Sequence, residues 1–279
     1  MSPLLRAELH VVLSPSRVVM VNGANVLSRF ALQRRLPVRT TAECAPVEPG
    51  QPAWTAALAT LAGELDRISG GRTNLRVTLS NRFVRYAIVP WQAGLQGAAE
   101  DAAYVRHYFS HMYGSAADGW DVCASAAPAG HPRLASAIDA TLLAGLRGLG
   151  ARGRIRLKSV WPQLSSTFNC YRNRLGASGW LVMADPGCLC IGLFEAGRWL
   201  SVQTVRTGAA WRRELPALLE RAARLAGPAC TAEHVFLWAP ELAAGTDVAA
   251  GRFRIELLTI VAADADAWFE ARSACGRAA

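Results

Sequence analysis

Short apolar runs separated by turn residues dominate the pattern of the chain between positions 180 and 205. Three such runs lie at 180–184, 188–194 and 199–205. Apolar runs of this length bounded by Gly and Pro are typical of sheet strands. The first turn is Asp185-Pro186-Gly187, in which Pro186 fixes φ and Gly187 supplies the positive φ of a type II corner. Together with a second turn at 195–198, the pattern predicts a three-stranded meander.

The same criteria predict alternating strands and helices in the rest of the chain. Apolar positions repeat with helical spacing between Trp54 and Ile68. The predicted helices are 54–68, 98–112, 132–149, 162–175, 211–225 and 264–273. The predicted strands outside the second meander are 9–13, 17–21, 26–35, 75–79, 83–89, 120–126, 154–159, 234–238 and 253–260. Residues 42–53 are predicted to form a loop, and residues 75–89 a hairpin that turns at 80–82.

This order of elements contains one arrangement twice. A three-stranded meander, a helix and a strand occur at 9–79 and again at 180–238. The repeat predicts an α/β protein with mixed sheets, built from two similar halves. Further elements inserted in the first half predict a small subdomain at about 90–130, within a first half at 1–175. The second half is then 176–279.

Composition and charge agree with a globular chain that buries a large core. Hydrophobic residues make up 52% and charged residues 18% of the 279 positions, and the formal net charge is +9. Lys158 is the only lysine, so the basic side chains are nearly all arginine. An arginine-rich nucleic-acid binder therefore stays an alternative, although no recognition motif supports it.

Cysteine usage and hydropathy point to a compartment and a topology. The seven cysteines are an odd number in a long chain, and several lie in apolar strands, which favours buried thiols in a reducing cytoplasm. We expect no signal peptide in the N-terminal residues, and no window approaches the roughly 20 apolar residues of a membrane helix. The expectation is a cytoplasmic protein.

Two tracts and one turn resemble a known group of proteins. These are LRVTLSNRFVRYAIVPW at 75–91, which is followed by Glu100 on a predicted helix, IDATLLAGLRGLGARGRIRLKSVWPQL at 138–164, and the turn Asp185-Pro186-Gly187. Together with the repeated order of elements, they resemble the PilM and GspL-type proteins of type IV pilus and type II secretion assembly. The resemblance implies an actin-like ATPase fold of two RNase H-like halves, with a small subdomain inserted in the first.

The resemblance also implies three nucleotide motifs, of which this chain keeps one in part. Active members carry an Asp-x-Gly phosphate loop in the first meander, where this chain has Ser14-Pro15-Ser16. Asp185 and Gly187 remain in the second meander as a vestigial nucleotide loop. The Gly-Gly turn that should end the adenosine-side strand is replaced by 237–240, Leu-Trp-Ala-Pro. We therefore expect a degenerate ATPase without catalytic residues, and neither ATP nor Mg²⁺ as a cofactor.

By the same resemblance, the chain should act as a non-catalytic cytoplasmic scaffold. Its partner would be an inner-membrane assembly protein of the PilN or PilO type, through which it reaches the membrane indirectly. The expected binding groove lies between the inserted subdomain and the first half and is lined by Phe83, Arg85, Tyr86, Trp91, Tyr104 and Tyr108. An ATP-binding actin-like ATPase or kinase with divergent phosphate loops is the alternative, and a homodimer is left open.

Other candidate motifs favour structural roles. The G-x-G-x-x-G sequence at 148–153 follows a predicted helix and precedes a strand, which is the reverse of a dinucleotide site. His107 and His111 share a helix face but lack further ligands, and Cys188 and Cys190 lie on one face of a strand. We expect no metal site.

Overall fold

The computed structural model describes residues 7–23, 39–68, 72–151, 154–227, 230–242 and 246–258. Its strands are β1 (Ala7–Leu13), β2 (Arg17–Gly23), β3 (Arg39–Glu43), β4 (Thr73–Leu79), β5 (Val84–Val89), β6 (Trp120–Ala124), β7 (Arg133–Asp139), β8 (Ile155–Pro162), β9 (Ser178–Asp185), β10 (Cys188–Glu195), β11 (Arg198–Arg206), β12 (His234–Trp238) and β13 (Arg254–Leu257). Its helices are α1 (Thr55–Arg67), α2 (Ala98–Tyr113), α3 (Ala140–Gly150), α4 (Gln163–Tyr171) and α5 (Trp211–Ala226).

The chain forms two compact units. One comprises Met1–Val84 and Ile138–Gln163, and the other comprises Arg85–Ala137 and Leu164–Ala279. The boundary near 175 that the sequence predicts stays a prediction. None of the helices in the described ranges has the length and hydropathy that a membrane span requires.

The first unit is built on a five-stranded sheet with the order β3-β2-β1-β4-β8. Strands β1, β2 and β3 form an antiparallel meander, while β4 and β8 run parallel to β1. Alternate residues of β1, such as Leu9, Val11 and Leu13, are buried. Helix α1 turns Ala57, Leu61 and Leu65 inward, as the helical spacing of its apolar residues predicts.

The second unit repeats this arrangement in the order β11-β10-β9-β12-β13. Again three strands form an antiparallel meander and two more run parallel to its first strand. Helix α5 packs Leu215 and Leu219 against Leu189 and Ile191 of β10. The repeat predicted from the sequence is therefore confirmed, and so is the mixed α/β class.

The second unit also contains a smaller three-stranded sheet, β5-β7-β6, with α2 packed on one face. Ala87 and Val89 of β5 and Ala135 and Ala137 of β7 meet Phe109 of α2 in its core. These elements cover the region in which the sequence predicts an inserted subdomain.

The structure corrects three local predictions. Residues 133–139 form strand β7, so the helix predicted at 132–149 begins only at Ala140. Strands β4 and β5 belong to different sheets, so residues 75–89 are not a hairpin. Strand β3 occupies 39–43 and pairs with β2, although Ala42 and Glu43 were assigned to a loop.

Two other predictions need comment. The predicted strand at 26–35 and the predicted helix at 264–273 lie outside the described residues. Pro162 is the last residue of β8 rather than the first residue of a helix, because it continues the parallel register with Leu79.

Candidate functional site

The first of the three turns that the resemblance equates with nucleotide motifs joins β1 to β2 at Ser14-Pro15-Ser16. The backbone N–H and the hydroxyl of Ser14 both donate to the carbonyl of Arg17, at 3.1 and 2.8 Å. The carbonyl of Ser16 accepts from the N–H of Cys44 at 2.8 Å. These three polar groups of the turn therefore bind within the first unit, and the turn offers no carboxylate for a metal ion.

The second turn joins β9 to β10 and has the conformation that its sequence predicts. Gly187 has φ of 76°, a value that residues with a Cβ rarely adopt. Its carbonyl accepts a hydrogen bond from the N–H of Thr207 at 3.1 Å. Asp185 and Cys188 pair across the turn. Asp185 and Gly187 thus lie together in a tight turn, while their role as a vestigial nucleotide loop stays a prediction.

The residues that follow this turn are buried. Cys188 and Cys190 lie on one face of β10 and are both inaccessible to solvent. Burial raises the pKa of the Cys190 thiol above its ordinary value, and the neighbouring Cys188 adds to this rise. Both side chains therefore behave as small apolar groups in the core, as the sequence analysis predicted.

The third turn follows β12 and is occupied by a large side chain. Trp238 is buried, and within the described residues its indole Nε1 has no hydrogen-bond partner. The N–H of Leu242 donates to the carbonyl of Ala239 at 3.0 Å, which closes a turn around exposed Pro240. The resemblance implies a Gly-Gly turn here, and an indole and a proline ring stand in its place.

The six residues predicted to bind a partner fall into different environments. Phe83 is buried and belongs to the first unit, whereas the other five belong to the second. Tyr104 and Tyr108 of α2 are partly buried against the core of the three-stranded sheet. Arg85 is exposed at the start of β5, and Trp91 beyond its end is 48% exposed.

Tyr86 lies on the face of β5 opposite to α2. Ala87 and Val89 contact α2, and successive strand residues point to opposite faces, so the Tyr86 side chain points away from Tyr104 and Tyr108. It is buried and hydrogen-bonds with the backbone of Leu164. Burial raises the pKa of its phenol well above the ordinary value. Tyr86 is therefore a core residue, while Arg85 and Trp91 are exposed and Tyr104 and Tyr108 are partly accessible.

An ion pair that the sequence analysis missed fixes α2 on its sheet. Asp101 of α2 accepts two hydrogen bonds from Arg133 of β7, one of them at 2.8 Å from Nη1 to Oδ2. The hydrogen bond from Arg133 lowers the pKa of Asp101. Arg106 Nη1 also donates to the carbonyl of Trp120 at 3.1 Å. The pair could not be found from the sequence, because residue 133 was assigned to a helix.

His107 and His111 are both exposed on α2. Across the parts of the chain that the structure describes, no three His, Cys, Asp or Glu side chains are grouped as a metal ion would require.

Comparisons with known proteins agree on the fold. No family model matches the chain, and no curated protein matches it. Among solved structures, a protein of unknown function from Bacteroides thetaiotaomicron with an actin-like ATPase fold is similar, with a TM-score of 0.51. It is 14% identical over 88% of this chain and 87% of its own. The two-unit architecture described above is therefore the actin-like ATPase fold.

Two further solved structures come from bacterial surface machineries. The cytoplasmic domain of EpsL, an inner-membrane component of the type II secretion system of Vibrio cholerae, is 10% identical over 96% of this chain and 95% of its own, with a TM-score of 0.56. A chain of the PilM–PilN type IV pilus biogenesis complex is 16% identical over 85% of this chain and 82% of its own, with a TM-score of 0.55. The predicted resemblance to PilM and GspL-type proteins is thus confirmed at the level of the fold.

Proposed function

We propose that this chain is an actin-like scaffold that works without nucleotide in the cytoplasm and binds the cytoplasmic segment of an inner-membrane assembly protein. The observation that carries the proposal is the turn Ser14-Pro15-Ser16. It has neither the carboxylate that holds a metal-bound water nor the glycine that lets phosphate approach. The N–H and hydroxyl of Ser14 and the carbonyl of Ser16 are already engaged in hydrogen bonds with Arg17 and Cys44.

The other two turns support the same conclusion. Buried Cys188 and Cys190 offer no hydroxyl to a phosphate, and Trp238 with Pro240 replaces a glycine turn. A chain that used ATP would have to tolerate all three changes at once. Loss of ATP use, in a fold that is kept for binding a protein, would account for all three changes.

The partner is inferred from what the similar structures are. One of them is a complex of PilM with PilN, and another is the cytoplasmic part of an inner-membrane protein. A PilN-type or PilO-type membrane protein is therefore the partner we propose, with Arg85, Trp91 and Tyr104 as contact residues. Aromatic residues and Arg dominate interface energies, which suits this set.

Nucleotide independence can be tested by thermal denaturation with Mg-ATP. A ligand present at 100 times its Kd stabilises a protein by about 2.7 kcal/mol, which for a chain of this size raises the melting temperature by about 5–10 °C. We expect no shift at millimolar Mg-ATP and no ATP hydrolysis. A shift of several degrees that Asp185→Ala abolishes would instead support the alternative, an ATP-binding enzyme that uses the retained Asp185-Pro186-Gly187 turn.

Partner binding can be tested with a labelled peptide that spans the cytoplasmic segment of a PilN-type protein from the same organism. We expect Arg85→Glu and Tyr104→Ala to weaken binding by roughly tenfold or more, the loss typical of a central interface residue. Arg224→Glu is the matched control, because Arg224 is an exposed arginine on α5. If both test variants fold and bind the peptide as the parent does, the contact surface is elsewhere.

A further inference from the structure

Strand β11 differs from the other strands that lie at the edges of the three sheets. In every other edge strand of the described residues, charged side chains leave at most four consecutive uncharged residues, and such charges oppose pairing with a further strand. These charges are Arg39 and Glu43 in β3, Arg156 and Lys158 in β8, Arg254 and Glu256 in β13, Arg85 in β5 and Asp121 in β6. In β11, by contrast, the seven residues 199–205 contain neither a charge nor a proline.

The register of β10 and β11 shows which backbone groups of β11 point away from the sheet. The N–H of Thr207 donates to the carbonyl of Gly187 at 3.1 Å, so residue 207 turns its polar groups toward β10. In an antiparallel pair this direction alternates along the strand. Val202, Thr204 and Arg206 therefore present their N–H and C=O groups outward, where no strand of the described residues pairs with them.

A bulge limits this outward-facing edge at one end. Leu193 pairs with Ser201 and Phe194 with Trp199, so Leu200 is the extra residue and is 44% exposed. Bulges interrupt the regular ladder that strand addition requires. The regular part of the edge is thus 201–206, which is long enough for an added strand of five or six residues.

The charges around this edge are mainly positive. Arg206 is exposed, and its side chain has no partner among the described residues. Arg198 at the other end of β11 is also exposed and contacts a ring nitrogen of His131 at 3.0 Å. Glu195 lies opposite Arg198 in the register, and helix α5, which packs against β11, adds two exposed arginines, Arg212 and Arg213, and one exposed acid, Glu214. With a net charge of +9 on the chain, the edge repels a second copy and attracts an acidic segment.

We propose that the outer edge of β11 over residues 201–206 binds an extended acidic segment of a partner protein by strand addition. Backbone hydrogen bonds to Val202 and Thr204 would supply the pairing. Acidic residues at the ends of the segment would lie near Arg206 and Arg198. This inference goes beyond the proposed function and does not depend on it, because β11 shares no residue with the surface proposed for the membrane partner.

The probe is a synthetic peptide, Glu-Glu-Val-Thr-Val-Thr-Val-Glu-Glu, whose palindromic sequence allows either strand direction. A second peptide replaces each Glu by Arg and serves as the charge control. Binding of each labelled peptide to the full chain is measured by fluorescence anisotropy at low and at high salt. We expect the acidic peptide to bind with a Kd below about 1 mM, more weakly at high salt. At low salt, the arginine peptide should bind at least tenfold more weakly than the acidic peptide.

Two variants locate the binding edge. Thr204→Pro removes one outward N–H and keeps the pairing with β10. Thr204→Ala keeps that N–H and removes the γ-methyl group and the hydroxyl that hydrogen-bonds with Cys190. We expect roughly tenfold weaker binding for Thr204→Pro and unchanged binding for Thr204→Ala. If Thr204→Pro does not fold by circular dichroism, Arg206→Glu replaces it, with Arg224→Glu as its control.

Each contrary result overturns the proposal. Absence of binding up to about 1 mM, or equal binding of the acidic and arginine peptides, excludes an acidic occupant. Equal binding to the parent, Thr204→Pro and Arg206→Glu places the peptide elsewhere. A dimer in light scattering that Arg206→Glu or Thr204→Pro dissociates would assign the edge to a second copy of this chain.

Discussion

Replacing Gly192 by Ala should destabilise the second unit, because Trp199 packs directly over this glycine. A Cβ added at Gly192 would lie 2.3 Å from Cζ3 and 3.1 Å from Cε3 of Trp199. The indole cannot yield easily, since its ring centroid is 4.6 Å from that of Phe168 and 6.1 Å from that of Phe194. The new methyl group must therefore displace either the indole or the backbone of β10.

The cost follows from the contacts that would be lost. Overpacking a well-filled core costs about 1–3 kcal/mol, and each aromatic pair contributes about 0.5–1.5 kcal/mol beyond its buried area. We expect Gly192→Ala to lower the free energy of unfolding by about 2–3 kcal/mol, with the collision as the main cause. For a chain of this size, the melting temperature should then fall by about 5–10 °C.

Urea denaturation and calorimetry measure this change, and two further variants control it. Gly148→Ala, at an exposed site of α3 with no atom within 4 Å of the added Cβ, should stabilise the chain instead, by about 0.5–1 kcal/mol. In a Trp199→Leu background, the cost of Gly192→Ala should fall below about 1 kcal/mol, because the indole is gone. A Gly192→Ala variant as stable as the parent would refute the reasoning.

Three further outcomes are expected. Gly187→Val should lower stability by about 1–3 kcal/mol through backbone strain at φ of 76°, measured by urea denaturation; an unchanged midpoint contradicts it. Asp139→Ala should cost about 1–2 kcal/mol, because its carboxylate accepts from the N–H of Thr141 at 2.8 Å at the start of α3; Asp139→Asn, a capping residue, should cost less. Arg133 lowers the pKa of Asp101 from its ordinary 3.8, so this ion pair stabilises the fold above that pH and less as pH falls through the folded pKa. Melting temperatures of the parent and Asp101→Asn should therefore differ at pH 7 and converge at low pH, and a constant difference would contradict this.

The second meander could be predicted almost residue by residue because its turns are specified locally. Gly187 supplies one positive φ, and Ala196 and Gly197 supply two more, with φ of 48° and 74°. Two-residue turns with positive φ at both positions match the twist of a hairpin. Once the turns are fixed, the apolar runs between them can form only the antiparallel strands that the structure contains.

Strand β7 could not be predicted because its local pattern favours a helix. Residues 134–138, Leu-Ala-Ser-Ala-Ile, include two alanines, and they continue into a helical segment. In the fold they form the central strand between β5 and β6, and pairing on both sides overrides the propensity. The local signal of the true boundary was Asp139, which caps α3 by accepting from the N–H groups of Thr141 and Leu142.

The predicted partner site was only partly resolvable from the sequence, since β5 carries apolar residues on both faces. Both faces are covered, one by α2 over Ala87 and Val89 and the other around Tyr86 near Leu164. A sequence pattern cannot distinguish a strand buried on both sides from one with an open apolar groove. The exposure of Trp91 and the burial of Tyr86 had to come from the fold.

Calorimetric titration with the cytoplasmic segment of a PilN-type protein from the same organism, with and without Mg-ATP, tests the central claim most directly. The account predicts that the segment binds the full chain with the same Kd in both conditions, because no step of binding requires nucleotide. A Kd that falls severalfold when Mg-ATP is added, with the gain lost in Asp185→Ala, would show coupling between the two ligands and contradict nucleotide independence. Absence of binding in both conditions would contradict the scaffold role itself.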